Sequence, residues 1–426
     1  MSTRAIVGWS IAIVVIILIA CVVWIGLRGL AAKADLEASV SLVSQIKAQI
    51  GNGDVASAQT ASKQLTKKAC SARDLIGDPI WRMGEIVPWV GGNLAAVRQV
   101  SEVVCGIADK SITPLLDVVG LIRLASFNPV SGVVPLEPLV KVQPTITTAN
   151  ATLQDELTKA ESIDTSGTIG AVSRAVSELT AALKSAGQTT DAASRAVQLP
   201  PDMLGKNEPR NYLLVVQNNA ELRSTGGIVG ALALLHTQNG AITLVQQASA
   251  SDIPPFQAPV LPLPAATRKF YGDITGEYIQ DVTLTPRFPV SAALAREMWE
   301  RRFGTAVDGV LSVDPVALSY LLSATGPVTV GTGDQLTSDN VVRTLFSDAY
   351  ARYDDPNQQI AFFATAAAAV FTKLASGDVD PKAMIAALAR AGDEGRLLIW
   401  SAHAKEQSSV AQTTLAGELP TSVPRR

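Results

Sequence analysis

The sequence predicts a mixed α+β and α/β protein in three parts: an N-terminal transmembrane helix, an all-α helical region, and a layered α/β domain with a mixed central sheet. Three observations lead there. An apolar run free of charge opens the chain, and apolar residues then recur at three- and four-residue spacing as far as Leu183. From Asn211 onward, short strand-like runs alternate with helical ones. The expected boundaries are 1–31 for a cytoplasmic tip and anchor, 32–200 for the extracytoplasmic helical region, and 205–426 for the α/β domain.

Composition narrows the function classes. The 426 residues leave room for two or three domains, and 47% of them are hydrophobic against 17% charged. A net charge of −3 without any basic run argues against nucleic acid as a partner, because duplex binding requires a Lys/Arg-rich face. Aromatics make up only 5%, too few for a base-stacking platform.

The anchor comes first. From Ala5 to Leu27 no charge interrupts the apolar run, and as a helix it would be roughly 34 Å long, enough to cross the bilayer core. Trp9 and Trp24 stand near its ends, where interfacial tryptophans belong. A signal peptide cut near Ala32-Lys33-Ala34 is the competing assignment, but the apolar stretch exceeds the roughly 7–15 residues of a signal-peptide core. The expectation is a single-pass protein of the cell membrane, held in the lipid bilayer by residues 5–27, with its bulk outside the cytoplasm. Cys21 falls in the span; Cys70 and Cys105 fall outside, either as a disulfide or as two buried thiols.

Leu36, Val40, Val43, Ile46 and Ile50 form one apolar helical stripe. Gly51-Asn52-Gly53 stops that helix, Asp54 caps the next, and the second helix should end near Ser71. Trp81 and Trp89 either rest on the bilayer interface or pack inside the helical region. Further helices are expected from Leu94 to about Leu124 and from Ile146 to about Leu183, with Asn128 to Pro144 as a connection. The character changes at Leu199-Pro200-Pro201. Asn211 to Val216 reads as a strand, and Leu232 to Gln246 as a hairpin turning at Asn239-Gly240. Then come a helix at Val290–Phe303, a strand at Gly309–Val313, a helix at Pro315–Ala324 and a strand at Gly326–Val330. Helices at Val341–Tyr353, Pro356–Leu374 and Pro381–Ala391 follow.

Several chemistries lack their motifs. His236 and His403 have no His-Glu-x-x-His spacing, and there is no Cys-x-x-Cys, phosphate-cradling Gly-x-x-x-x-Gly-Lys-Ser/Thr loop or Gly-x-Ser-x-Gly elbow. What is left is arginine and carboxylate in predicted loops. Gln217-Asn-Asn-Ala-Glu-Leu-Arg-Ser-Thr-Gly-Gly227 supplies Asn218, Asn219, Glu221 and Arg223; later loops supply Asp252, Asp281, Arg287 and Asp355. Arginine offers a planar fork of donors suited to phosphate, and the carboxylates Asp281 and Asp355 are candidate magnesium ligands. Taken alone, each of these residues is more often a solvated loop charge or a cap.

Arg210-Asn-Tyr-Leu-Leu-Val-Val-Gln-Asn-Asn-Ala-Glu-Leu-Arg-Ser-Thr-Gly-Gly-Ile-Val-Gly230 resembles the signature of the bacterial "domain of unknown function 4012" membrane proteins. Trp81-Arg-Met83, Thr285-Pro-Arg-Phe-Pro289, Val307 to Leu318 and Ala324-Thr-Gly-Pro-Val328 fit the same family. More distantly, the order of elements resembles the LytR-CpsA-Psr domain, whose members transfer glycopolymers from a polyprenyl-diphosphate carrier to the cell wall. That resemblance implies a cell-envelope protein that binds or handles a polyprenyl-phosphate lipid or cell-wall glycopolymer. Its enzymatic form would be a magnesium-assisted phosphotransferase; its other forms are a binding module or a purely structural protein. The sequence departs from the second family at two places. Pro356 and Asn357 stand near Gln358-Gln359 where that family has arginines, and Asn218 or Asn219 stands where it has an aspartate.

Overall fold

The computed structural model describes residues 3–119 and 128–419. The chain divides into two compact units: residues 1–122 with 141–197, and residues 123–140 with 198–426.

The first unit is helical. α1 runs unbroken from Thr3 to Gly51, so the apolar run and the stripe beginning at Leu36 are one helix of about 73 Å, with no break near residue 31. Nothing between Gly26 and Lys33 stops it: Arg28, Leu30, Ala31 and Ala32 are all good helix formers. The window beginning at Trp9 is long and apolar enough to cross a membrane, and none of it is buried by the rest of the chain. Gly53 turns the chain at φ 77°, and the Asp54 carboxylate caps α2 (Val55–Ile76) by accepting from the Ser57 amide at 3.1 Å. α2 lies back along α1 and overruns the expected end at Ser71 because Ala72 and Ile76 continue its buried face.

α3 (Pro79–Gly84) is capped by Asp78, and α4 (Gly91–Ile107) passes through a π-turn at Ala108–Ile112 into α5 (Thr113–Val119). The predicted end of that helix at Leu124 lies outside the described residues. Cys70 on α2 is bonded to Cys105 on α4, with Cα atoms 4.7 Å apart. Trp81 is buried, its indole N–H donating to the Leu94 carbonyl at 3.1 Å, whereas Trp89 is 94% exposed. α6 (Glu137–Glu161) begins inside the segment expected to be a connection and carries Pro144 within it. The single helix expected from Ile146 to Leu183 is two: Ser162 to Ile169 separates α6 from α7 (Gly170–Met203). α7 runs through Pro200 and Pro201, which lie in its last turn.

The second unit is built on a mixed five-stranded sheet in the order β3-β2-β1-β4-β7. Its strands are β1 (Arg210–Arg223), β2 (Gly226–Gln238), β3 (Ala241–Ser249), β4 (Gly309–Val313) and β7 (Leu397–Ser401). β1 is central and parallel to β4, with Leu213 opposite Val310; every other pairing is antiparallel. The β2–β3 turn falls at Asn239 and Gly240, both with positive φ, as the Asn-Gly pair predicts. β7 escaped prediction because five apolar-rich residues carry no period that separates a strand from a helix end.

Between β3 and β4 lie α8 (Ala265–Tyr271), α9 (Ile274–Glu277), a 3₁₀ segment at Ile279–Leu284, and α10 (Phe288–Phe303). Met298 and Trp299 of α10 are fully buried against Leu213, Leu232 and Val310 of the sheet. After β4 comes α11 (Pro315–Thr325), then a two-stranded ribbon of β5 (Val328–Thr329) and β6 (Gln335–Leu336). The helix expected at Val341–Tyr353 is α12 (Val341–Arg343), a π-turn at Thr344–Asp348 and α13 (Ala349–Arg352). α14 (Pro356–Ala375), α15 (Pro381–Asp393) and α16 (Ala404–Val410) complete the unit. Phe362, Ala366 and Val370 of α14 form a second core with Leu322, Leu336 and Val341.

Candidate functional site at the ends of the parallel strands

In sheets of this kind, ligand sites form beyond the carboxyl ends of parallel strands. Here those ends are Val216 of β1 and Val313 of β4. The stretch Gln217–Gly227 expected as a loop is a continued hairpin. β1 and β2 run on to a tight turn at Ser224 and Thr225, with Arg223 opposite Gly226 and Leu222 opposite Gly227. Two irregularities re-aim the side chains. Gly230 has no partner opposite β1, and Asn219, Ala220 and Glu221 bulge out between Asn218 and Leu222.

The paired glycines serve the neighbouring strand. A Cβ on Gly227 would lie 2.3 Å from the Asn218 carbonyl oxygen, and one on Gly226, at φ 131°, would lie 2.6 Å from Oε1 of Gln217. Gln217 is 3% exposed and uses both ends of its amide. Its Nε2 donates to Ser312 Oγ on β4 at 2.6 Å, and its Oε1 accepts from the Gly227 amide on β2 at 2.6 Å. One side chain therefore ties three adjacent strands together at the carboxyl ends of β1 and β4.

The bulge brings Asn219 to Asp314. Asn219 Nδ2 donates to Asp314 Oδ2 at 3.1 Å, and Arg396 donates to the same oxygen at 2.8 Å. The other carboxylate oxygen of Asp314 caps α11, accepting from the Ala317 amide at 2.7 Å. Arg396 also holds Glu394 at 2.8 Å, and Glu394 accepts in addition from Tyr320 and Arg390. Asn218 reaches the Tyr350 hydroxyl at 3.5 Å. Burial raises the pKa of that phenol, and the nearby charge of the exposed Glu221 adds to the rise. Arg223 stands 3.6 Å from Asp281, both 23% exposed. Two polar atoms at this end, Asn219 Oδ1 and Arg223 Nε, are buried without a partner among the described residues.

Three donors hold the Glu394 carboxyl down, Arg396 first, then Tyr320 and Arg390, and its pKa falls to about 2. A depressed carboxylate pKa means that its contribution to folding is full above the ordinary carboxylate range and is lost as pH falls through 2. A carboxyl-carbon NMR titration is expected to place its inflection near 2; an inflection above 4 would show that the Arg396–Glu394–Tyr320 contacts do not persist in solution.

The other predicted site residues are occupied elsewhere. Asp252 closes a capping box, accepting from the Ser249 amide at 2.7 Å. Arg287 pairs with Glu418 at 3.2 Å. Asp355 stands at the start of α14, where its carbonyl accepts from Gln358 and Gln359. Asp281 faces a guanidinium, and the described residues contain no group of three or more His, Cys, Asp or Glu able to hold a metal ion.

Sequence reasoning missed Gln217, Ser312, Asp314 and Arg396 as site members. Asp314-Pro315 was legible as a helix start, and Gln217 opens the loop that drew attention; nothing in the sequence pairs Asp314 with Arg396 or Gln217 with Ser312. It also missed a polar clamp at the opposite end of the sheet. There the Asp308 carboxylate accepts from the Asn211 amide at 2.8 Å and meets His403 Nε2 at 2.9 Å, with Arg210 at 3.6 Å. His236 bonds Asn211 at 2.8 Å, so both histidines lie at this end. Tyr212 is buried there with its hydroxyl unpartnered, and burial, then the charge of Glu406, pushes its pKa up.

Among curated proteins, none matches this chain. One solved structure, that of protein gbs0355 from Streptococcus agalactiae, is 13% identical over 50% of this chain and 76% of its own, with a TM-score of 0.31. The sequence model of the family described as "Protein of unknown function (DUF4012)" matches residues 207–350, from the approach to β1 as far as α13. Over residues 207–350 the chain is similar to that family.

Proposed function

We propose that the chain is a single-pass, membrane-anchored protein of the cell envelope, with its bulk outside the cytoplasm. In this reading the α/β unit binds the anionic headgroup of a polyprenyl-phosphate lipid or of the glycopolymer it carries. The observation that carries the proposal is the Asn219–Asp314–Arg396 network at the carboxyl ends of β1 and β4. It holds a guanidinium that is 30% exposed in a fixed orientation at the position where sheets of this type receive ligands. A preorganised arginine loses little freedom when it grips a phosphate. Arg223, held by Asp281 and with a buried Nε that has no partner among the described residues, is a second such group.

The address has its own support. The Cys70–Cys105 bond fits an oxidising compartment. An uncleaved anchor fits the packing of α1, because Ala32 is fully buried with Ile76 and Trp81, and Ile25 and Leu36 pack on the same cluster. Arg28 pairs with Asp78 at 3.2 Å. Cutting near Ala34 would strip this cover from a buried tryptophan.

Titration of the detergent-solubilised chain with a short-chain polyprenyl diphosphate tests the reading. Arg396→Ala and Arg223→Ala are each expected to weaken binding by about 1.5–3 kcal/mol, the size of a charge-assisted hydrogen bond. Wild-type protein that does not bind rejects the proposal. Variants that bind like wild type but melt lower reduce the two arginines to structural ties.

A further inference from the structure

The turn between α3 and α4 presents an apolar surface that none of the described residues of the first unit covers. Trp89 is 94% exposed, Ile86 83% and Met83 69%, and Val87 and Val90 are about half exposed. An exposed apolar patch of this kind marks a contact surface, because leaving it in water is unfavourable. Its position beside α1 indicates what covers it. At Gly84, the last residue of α3, an added Cβ would lie 2.9 Å from Ile25, inside the charge-free apolar run. Asp78, at the start of α3, binds Trp24 and Arg28, the pair that marks the end of that run, and the Arg28 guanidinium stacks 4.5 Å from the Trp24 ring. The turn therefore stands at the height where the span leaves the hydrocarbon.

Its chemistry suits that place. Between Met83 and Leu94 the one ionisable side chain is Glu85, and Arg98 neutralises it at 2.6 Å with both groups mostly buried. The backbone is largely closed: the Glu85 amide donates back to Trp81 and Arg82 of α3, those of Ile86, Val87 and Gly91 donate within the segment, and Pro88 has no donor to satisfy. A Cβ on Gly91 would fall 1.9 Å from the Glu85 carbonyl oxygen, so the turn closes tightly and Trp89, at φ 64°, is left projecting from it. Tryptophan with aliphatic neighbours is the composition that seats at a membrane interface.

We infer that Met83–Val90 is a second membrane contact, a wedge that enters the leaflet beside residues 24–28 and fixes the first unit against the bilayer. The inference rests on the membrane-anchor reading proposed above. The test uses the full chain with Cys21→Ser, carrying an environment-sensitive fluorophore on Ile86→Cys, on Ile16→Cys within the span, or on Lys63→Cys on the exposed face of α2. Each is reconstituted in phosphatidylcholine vesicles containing nitroxide-labelled phosphatidylcholine. The expected result is blue-shifted emission and strong loss of signal at positions 16 and 86, with neither at 63. Quenching at 16 but not at 86 overturns the wedge and leaves the anchor standing. Quenching at none of the three removes the anchor and the wedge with it. A blue shift at 86 that grows with protein concentration without lipid quenching overturns the lipid assignment in favour of a second copy of the chain. Equal quenching at 63 and 86 also overturns it, since the unit then lies flat on the surface.

Discussion

Gln217→Ala is expected to destabilise the α/β unit by about 3–5 kcal/mol, although the residue is polar and sits beside an irregular edge of the hairpin. Truncation strands two buried groups at once, the Gly227 amide and the Ser312 hydroxyl, and each uncompensated polar group costs about 1–3 kcal/mol. Water cannot easily replace the amide, because Gln217 is 3% exposed and Ser312 2%. Ser312→Ala removes one partner only and should cost less. In the double variant the losses should fall short of additive, since the two side chains share one bond. Denaturant unfolding of the four proteins reads the result. A loss below about 1 kcal/mol for Gln217→Ala would mean that the network is not formed in solution.

The second large effect concerns the helical unit. Cys70 and Cys105 are 35 residues apart, and closing a loop of that length in the unfolded chain corresponds to about 4 kcal/mol of stability. Reduction, or the paired change Cys70→Ala and Cys105→Ala, should lower the unfolding midpoint of this unit accordingly. The denaturant dependence should also steepen, because the uncrosslinked chain expands further on unfolding. Removing only one cysteine should do the same and leave a reactive thiol. Unchanged midpoints with and without reductant would show that α2 and α4 hold their places without the bond.

The parts of the fold that were legible are those set by local chemistry. The 5–27 run, the Asp54 cap, the Asn239-Gly240 turn and β4 all follow from residue types at short spacing. Errors arose wherever a distant contact decided the outcome. Ser71 looked like a helix end until Ile76 found Trp81 to pack on. Gln217 to Gly227 looked like a loop because its polar residues hide a hairpin, whose ladder is completed by glycines that admit β1 at backbone distance. The candidate site was half legible for the same reason. Asn219 and Arg223 stood out by type, but their partners Asp314 and Asp281 lie 95 and 58 positions away along the chain, separations at which a single sequence holds no register.

The continuity of α1 has a mechanical consequence. A helix with no hinge between Trp9 and Gly51 behaves as a lever. From Arg28 to Gly51 it extends about 35 Å, so a change of about 10° in its inclination swings the far end by about 6 Å. α2 returns along that arm, and the Cys70–Cys105 bond fastens α4 to it, so the whole helical unit pivots as one piece with the angle of its root. Any change in the inclination of residues 9–28 is thereby carried to α2 and α4.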